Sequence, residues 1–211
     1  MTLKVPAQLL PAAARIAVPW KNGGGLTREV LAAPDGAALG DFDWRVSTAE
    51  VRSAGPFSIF PGVQRTLCVL EGALALEVEG MRPVRLAQDS APYVFSGDAA
   101  AHAHPGAEGV VDLNVMTRRG RFGAQVAAVQ FMTPVTRDSG PALTLVFART
   151  PVTVTTPDAE WRLARWDTLK LTEATPCTLT APGGQGSCYF IDITFERRGY
   201  AAGAGLHAQR A

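Results

Sequence analysis

Charge is thin in this sequence. Only 18% of its 211 residues are Asp, Glu, Lys or Arg, and the formal net charge is +1. A chain so balanced, with its basic residues spread out and no recognition helix visible, is not built for nucleic acid. Cysteine is scarce as well. Cys68, Cys177 and Cys188 are odd in number, lie far apart and form no Cys-x-x-Cys pair, which excludes a disulfide framework and points to a reducing compartment. No long hydrophobic run occurs. The apolar stretch from Val5 to Val18 is broken by Pro6, Gln8, Pro11 and Arg15, so neither a signal core nor a membrane span fits, and a soluble cytoplasmic protein is expected. Helical periodicity is weak throughout. Nothing matches the Gly-x-Ser-x-Gly nucleophile elbow, and Glu29, Glu50, Glu71 and Asp112 stand singly rather than as carboxylate pairs.

What is present begins at Pro19-Trp20-Lys21-Asn22-Gly23-Gly24-Gly25-Leu26-Thr27-Arg28-Glu29. Three glycines free the backbone for positive φ or a close approach, to a ligand or to another strand. No Lys-Ser or Lys-Thr follows them to open a P-loop helix, and Arg28 stands where a dinucleotide fingerprint needs its third glycine.

Short alternating segments then recur between Gly/Pro turns. From 44 to 51, Trp44, Val46 and Thr48 face one way and Arg45, Ser47 and Ala49 the other. From 110 to 116, Val111, Leu113 and Val115 share one face, while Asp112, Asn114, Met116 and, on continuation, Arg118 share the opposite one. Arg65–Leu70 reads as a strand ending in a Glu71-Gly72 turn, with Leu74, Leu76 and Val78 beyond it. After residue 121 further strands follow, the most hydrophobic from Cys188 to Phe195, and the Ala/Gly-rich tail from Gly199 is expected to fray. The pattern implies an all-β sandwich or barrel. Element order alone suggests two similar barrels, over about 14–120 and 121–198, without a residue-level repeat to support the duplication.

Val69-Leu70-Glu71-Gly72 leading into an alternating strand is a recurrent cupin signature. The segment Phe57–Thr66 ahead of it has neither His nor carboxylate, so it supplies no converging metal ligands. His102 and His104 fall on one face of an extended chain, yet two ligands without a third favour an exposed pair on an Ala-rich loop over a metal site. Arg28, Arg45 and Arg65 sit in apolar-patterned strands, where an unpaired guanidinium is costly. Arg118 is a candidate to join them. Together they would grip a carboxylate or other small anion, or else pair with Glu29, Glu50, Glu71 or Asp112.

In order and spacing, the 19–29 segment, Asp43-Trp44-Arg45-Val46-Ser47, Gly55-Pro56-Phe57-Ser58, Pro61-Gly62 with Arg65, Leu70-Glu71-Gly72, Phe95-Ser96-Gly97-Asp98 and Asp112–Gly120 resemble the HutD/Ves family over about residues 19–120. The resemblance implies an RmlC-like cupin with two packed cupin-type β-barrels in one chain. The halves would be 1–120, carrying the motifs, and 121–198, with a tail at 199–211. It implies no catalytic metal or other cofactor, and a role in histidine utilisation as a sensor or regulator rather than a firmly assigned enzyme. An enzyme of unassigned isomerase or hydrolase type, or a module that contacts another regulator, are the other readings. Carried over residue by residue, the resemblance nominates Trp20, Asn22, Gly23, Gly24, Arg28, Arg45, Arg65, Asp112, Asn114 and Arg118 for the pocket. A small carboxylate from the histidine pathway is the expected partner, with no nucleic acid or membrane, and a homodimer is compatible.

Overall fold

Alternation becomes strand throughout the described residues, 7–21, 23–138, 143–172 and 175–196 of a computed structural model, with one 3-10 turn at Ala12–Ala14 and no α-helix among them. The strands of the first half are β1 (Ala7–Leu10), β2 (Ala17–Pro19), β3 (Gly25–Ala33), β4 (Trp44–Val51), β5 (Gly55–Pro56), β6 (Val63–Val78), β7 (Val84–Ala87), β8 (Tyr93–Ser96) and β9 (Ala101–Arg118). Those of the second are β10 (Phe122–Phe131), β11 (Val135–Asp138), β12 (Leu143–Ala148), β13 (Val152–Thr155), β14 (Glu160–Leu163), β15 (Thr168–Leu171), β16 (Pro176–Thr180) and β17 (Gly186–Phe195).

They form three sheets. One runs β2-β3-β4-β9-β6-β7, with β5 added beside β9 and β8 beside β6. A second runs β1-β15-β12-β17-β10, and a third β11-β16-β13-β14. Among the described residues no sheet closes on itself, so the expected pair of barrels is not seen as two closed rings of paired strands. β1 crosses the boundary at residue 120, because Ala7–Leu10 pair with Thr168–Leu171 of β15.

Side-chain parity explains the layering. Trp44, Val46, Cys68, Leu70, Leu113 and Val115 turn outward from the first sheet. They pack on Leu145, Phe147, Tyr189, Ile191 and Ile193 of the second, so the two halves share one apolar layer. The opposite face of the same first-half strands buries Val51, Leu67, Val69 and Val110. Inside the second half, Val146, Phe190, Val154 and Leu179 form a separate core.

Glu71-Gly72 does not make the expected hairpin turn. β6 runs on through it to Val78, paired with β9 on both sides of two register shifts, at Val69/Glu71 and Gly72/Leu74. Gly72 has φ +75°, and a Cβ there would collide with the Gly109 carbonyl of the facing strand. The pair of glycines lets two long strands bend together where a side chain would hold them apart.

Candidate functional site

The inward face of β4, β6 and β9 is apolar at one end and polar at the other. At the polar end Arg45, Ser47, Arg65, Asn114 and Met116 line a cavity of about 740 Å³, with Asp112 fully buried in its wall. Alternation places them there: Arg45 and Ser47 share parity on β4, and Asp112, Asn114 and Met116 on β9. Trp20, Lys21 and Leu39 stand on one wall of the cavity, and Phe57, Ser58 and Phe60 on another.

Arg65 lies 5% exposed. Its NH2 donates to Asn114 Oδ1 at 2.9 Å and its NH1 points to the Ser58 carbonyl at 3.4 Å. Its guanidinium carbon lies 5.1, 5.7 and 4.8 Å from the ring centres of Phe57, Phe60 and Phe95, an aromatic box that favours a weakly hydrated cation. Burial lowers its pKa to about 10, so it stays charged at neutral pH. Asn114 passes the network on: its Nδ2 donates to Asp112 Oδ1 at 2.5 Å. Asp112 is 0% exposed, and burial pushes its carboxyl up to about 7 against the pull of Arg65 and of the Asn114 hydrogen bond. Neither Asp112 Oδ2 nor Arg65 Nε has a hydrogen-bond partner among the described residues.

The remaining nominated residues are placed as follows. Arg45 lines the cavity while its Nε donates to Glu29 at 2.8 Å, so it is both an ion-pair partner and a cavity group. Arg28 turns away to Glu50 at 2.5 Å; that hydrogen bond holds the Glu50 carboxyl below its ordinary range. Arg118 reaches three backbone carbonyls, those of Pro61 at 3.1 Å, Gly40 at 2.8 Å and Phe42 at 3.1 Å. It lines a neighbouring hollow of about 270 Å³, so it ties together two loops that wall the cavity rather than facing into it. Asn22 lies outside the described residues.

The glycine stretch is the turn between β2 and β3. The Trp20 N–H donates to the Gly25 carbonyl at 2.9 Å, Gly23 takes φ +71°, and the Gly24 carbonyl accepts from the Arg52 N–H at 2.9 Å. Gly25 presses on the Glu50 carbonyl so closely that a Cβ would clash. The close approach is therefore to another strand, and Gly23 and Gly24 are not among the residues lining the cavity. Trp20 is fixed over the cavity by its indole N–H donating to Thr27 Oγ1 at 2.8 Å and by an edge-on contact with Phe57.

His102 and His104 are on β9, not a loop, and point to solvent, with Nδ1 and Nε2 3.1 Å apart and Glu77 3.5 Å from His104. Among the described residues no cluster of three or more His, Cys, Asp or Glu is arranged to hold a metal ion. Cavity residues absent from the nomination include Lys21, Thr27, Ser47, Ser58 and Met116. Ser47 and Met116 were within reach of the sequence, since they share parity with Arg45 and Asn114.

The HutD family's sequence pattern covers residues 12–189. The chain belongs to the HutD family. Protein Ves of Citrobacter koseri is 41% identical over 110 residues, 51% of this chain and 56% of that protein. A Pseudomonas putida protein described as an uncharacterized 21.2 kDa protein in the hutC 3′ region is 34% identical over 125 residues, 56% of this chain and 62% of its own length. The chain thus spans little more than half the length of these curated relatives. The structure of HutD from Pseudomonas fluorescens SBW25 superposes with a TM-score of 0.77 at 27% identity, covering 90% of this chain and 100% of that one. A cupin 2 conserved barrel domain protein from Leptotrichia buccalis superposes with a TM-score of 0.58 at 9% identity, covering 84% and 92%. That likeness concerns the fold alone, which is all-β and cupin-like.

Proposed function

We propose that this HutD-family protein binds a small carboxylate without a metal and acts as a sensor or regulator in histidine utilisation. One observation carries the reading: a buried arginine on the floor of a ligand-sized cavity is met directly by a neutral amide and a carbonyl, not by a carboxylate. Bidentate capture of a planar carboxylate suits that guanidinium, with Arg45 and Lys21 adding positive potential nearer the mouth. The hutC-region and HutD names of its relatives support the pathway. Thermal-shift titration with the small acids of histidine breakdown, such as urocanate and formylated glutamates, tests the proposal. A stabilising shift is expected, and no shift at millimolar concentration for any of them would sink it.

A cavity carboxyl lifted to about 7 also suits proton transfer, so a cofactor-free isomerase or hydrolase is the second reading. Consumption of a bound acid during overnight incubation, followed by mass spectrometry, separates enzyme from sensor. A module that only contacts another regulator accounts less well for the cavity.

We also read the two halves as two cupin-type units. In each half one long strand carries a buried aspartate, Asp112 on β9 and Asp192 on β17. In the second half Arg137 pairs directly with the buried Asp192, which Thr144 also contacts at 2.7 Å. No described helix is long and apolar enough to cross a membrane.

A further inference from the structure

We infer that the cavity takes up its anion together with a proton, which Asp112 holds at the far end of the Arg65–Asn114–Asp112 relay. The inference rests on the carboxylate-binding reading and concerns how that same site is regulated.

The geometry sets up the exchange. Asp112 is sealed from solvent, one of its oxygens is satisfied by Asn114 and the other by nothing among the described residues. An anionic carboxylate with an orphaned oxygen in the interior is poorly solvated, whereas the neutral acid is tolerated there. Few groups face it. Directly across on β4 is Ala49, with Ser47 and Arg45 further along that face. Directly across on β6 is Val69, and Arg65 is the charged residue on that strand's inward face. Its own strand contributes Asn114. On the outer side of β6, Cys68 is pushed up to about 12 by burial and is a neutral thiol. Arg65 is therefore the cation that favours the Asp112 anion, opposing a larger effect of burial.

A ligand carboxylate settling on Arg65 claims the same cation and adds a second negative charge beside Asp112. Both effects raise the Asp112 pKa further. Two acids and one guanidinium are then accommodated by protonating the acid that cannot reach solvent. No bond to the ligand is made or broken; the proton comes from bulk water or buffer and joins an oxygen of Asp112. The sign follows from linkage. The free protein titrates near 7 and the complex above it, so binding takes up about half a proton at pH 7 and close to one at pH 8. Affinity falls as pH rises above 7, by at most about tenfold per unit, until the pKa of the complex is reached. A simple aliphatic carboxylate keeps its own charge throughout this range.

Isothermal titration calorimetry on the full chain reads this directly. Acetate and N-formylglutamate are the probes, at pH 6.0, 7.0 and 8.5, each in two buffers that work at that pH, carry no small free anion able to compete for Arg65, and differ in ionisation enthalpy. The expected result is net proton uptake at pH 7.0 and 8.5, with roughly ten-fold weaker binding at 8.5 than at 7.0. In D112N the uptake disappears and the affinity becomes flat with pH. The wild-type uptake needs no variant, so a misfolded D112N leaves the test intact. Binding of equal strength at all three pH values with no proton exchanged overturns the inference and leaves the carboxylate reading standing. A folded D112N that keeps the wild-type pH slope overturns it too. If neither probe binds at any pH, the carboxylate reading fails and takes this inference with it.

Discussion

Arg65 and Asn114 are joined by a 2.9 Å hydrogen bond in which a buried cation meets a neutral amide, and the balancing carboxylate of Asp112 stands one link further on. The cation is thus held in place without being quenched, the state an anion receptor requires.

Arg65→Lys should keep the fold and weaken carboxylate binding by about 1–3 kcal/mol, the scale of a charged hydrogen bond. Lysine retains the charge but loses the planar fork and the stack within the three phenylalanine rings. Melting temperature and affinity measured on the same sample separate the outcomes. A well-folded variant with unchanged affinity would show Arg65 to be purely structural.

Arg118→Met should loosen the loops carrying Gly40, Phe42 and Pro61, whose carbonyls it holds. The expected effect is a loss of about 1–2 kcal/mol of stability and a weaker ligand complex, although residue 118 does not line the main cavity. Hydrogen exchange should rise at 38–43 and 58–62 and nowhere else. Uniformly raised exchange would point to global destabilisation instead.

Gly72→Ala should cost about 2–4 kcal/mol, from a left-handed backbone and a Cβ driven into the Gly109 carbonyl. Denaturant titration measures it. A cost below about 0.5 kcal/mol, the scale of an ordinary surface change, would mean that the paired bend of β6 and β9 relaxes easily.

Asp112 also makes stability depend on pH. Its carboxyl titrates near 3.8 in the unfolded chain and near 7 in the folded one. Between those values the folded chain keeps a proton the unfolded chain has released, so stability should fall as pH rises from about 4 to about 7. Glu50 and Asp98, both held low, act with the opposite sign, and only towards the acid end. Melting curves in half-unit pH steps should show the slope in the wild type and its loss in Asp112→Asn.

The double variant His102→Ala, His104→Ala should bind the same ligands with unchanged affinity and lose no more than about 0.5 kcal/mol of stability, since both rings are at the surface. An affinity change beyond threefold would bring the pair into the site.

Many of the strands, the face that Asp112 shares with Asn114 and Arg45 with Ser47, and the family were legible in the sequence; the strands at 135–138 and 176–180 and the start of β9 at Ala101 were not. Period-two alternation is a local property, and the glycine-rich and Asp112–Gly120 segments are dense with distinctive residues. What the sequence left open was the partner of each charged side chain. Arg28, Arg45 and Arg65 look alike in their strands. One turns to Glu50, one divides itself between Glu29 and the cavity, and one is buried against an amide, because what lies within reach is supplied by other strands. Arg118 has the right parity but sits at the end of β9, beside loops whose carbonyls need donors. Glu71-Gly72 carries the composition of a turn and becomes a bend in a continuous strand, since β9 pairs with β6 on both sides of it. The burial of Asp112, and with it the raised carboxyl, belongs wholly to the tertiary structure: solvent is excluded by the assembled sheets, and no single strand carries that information.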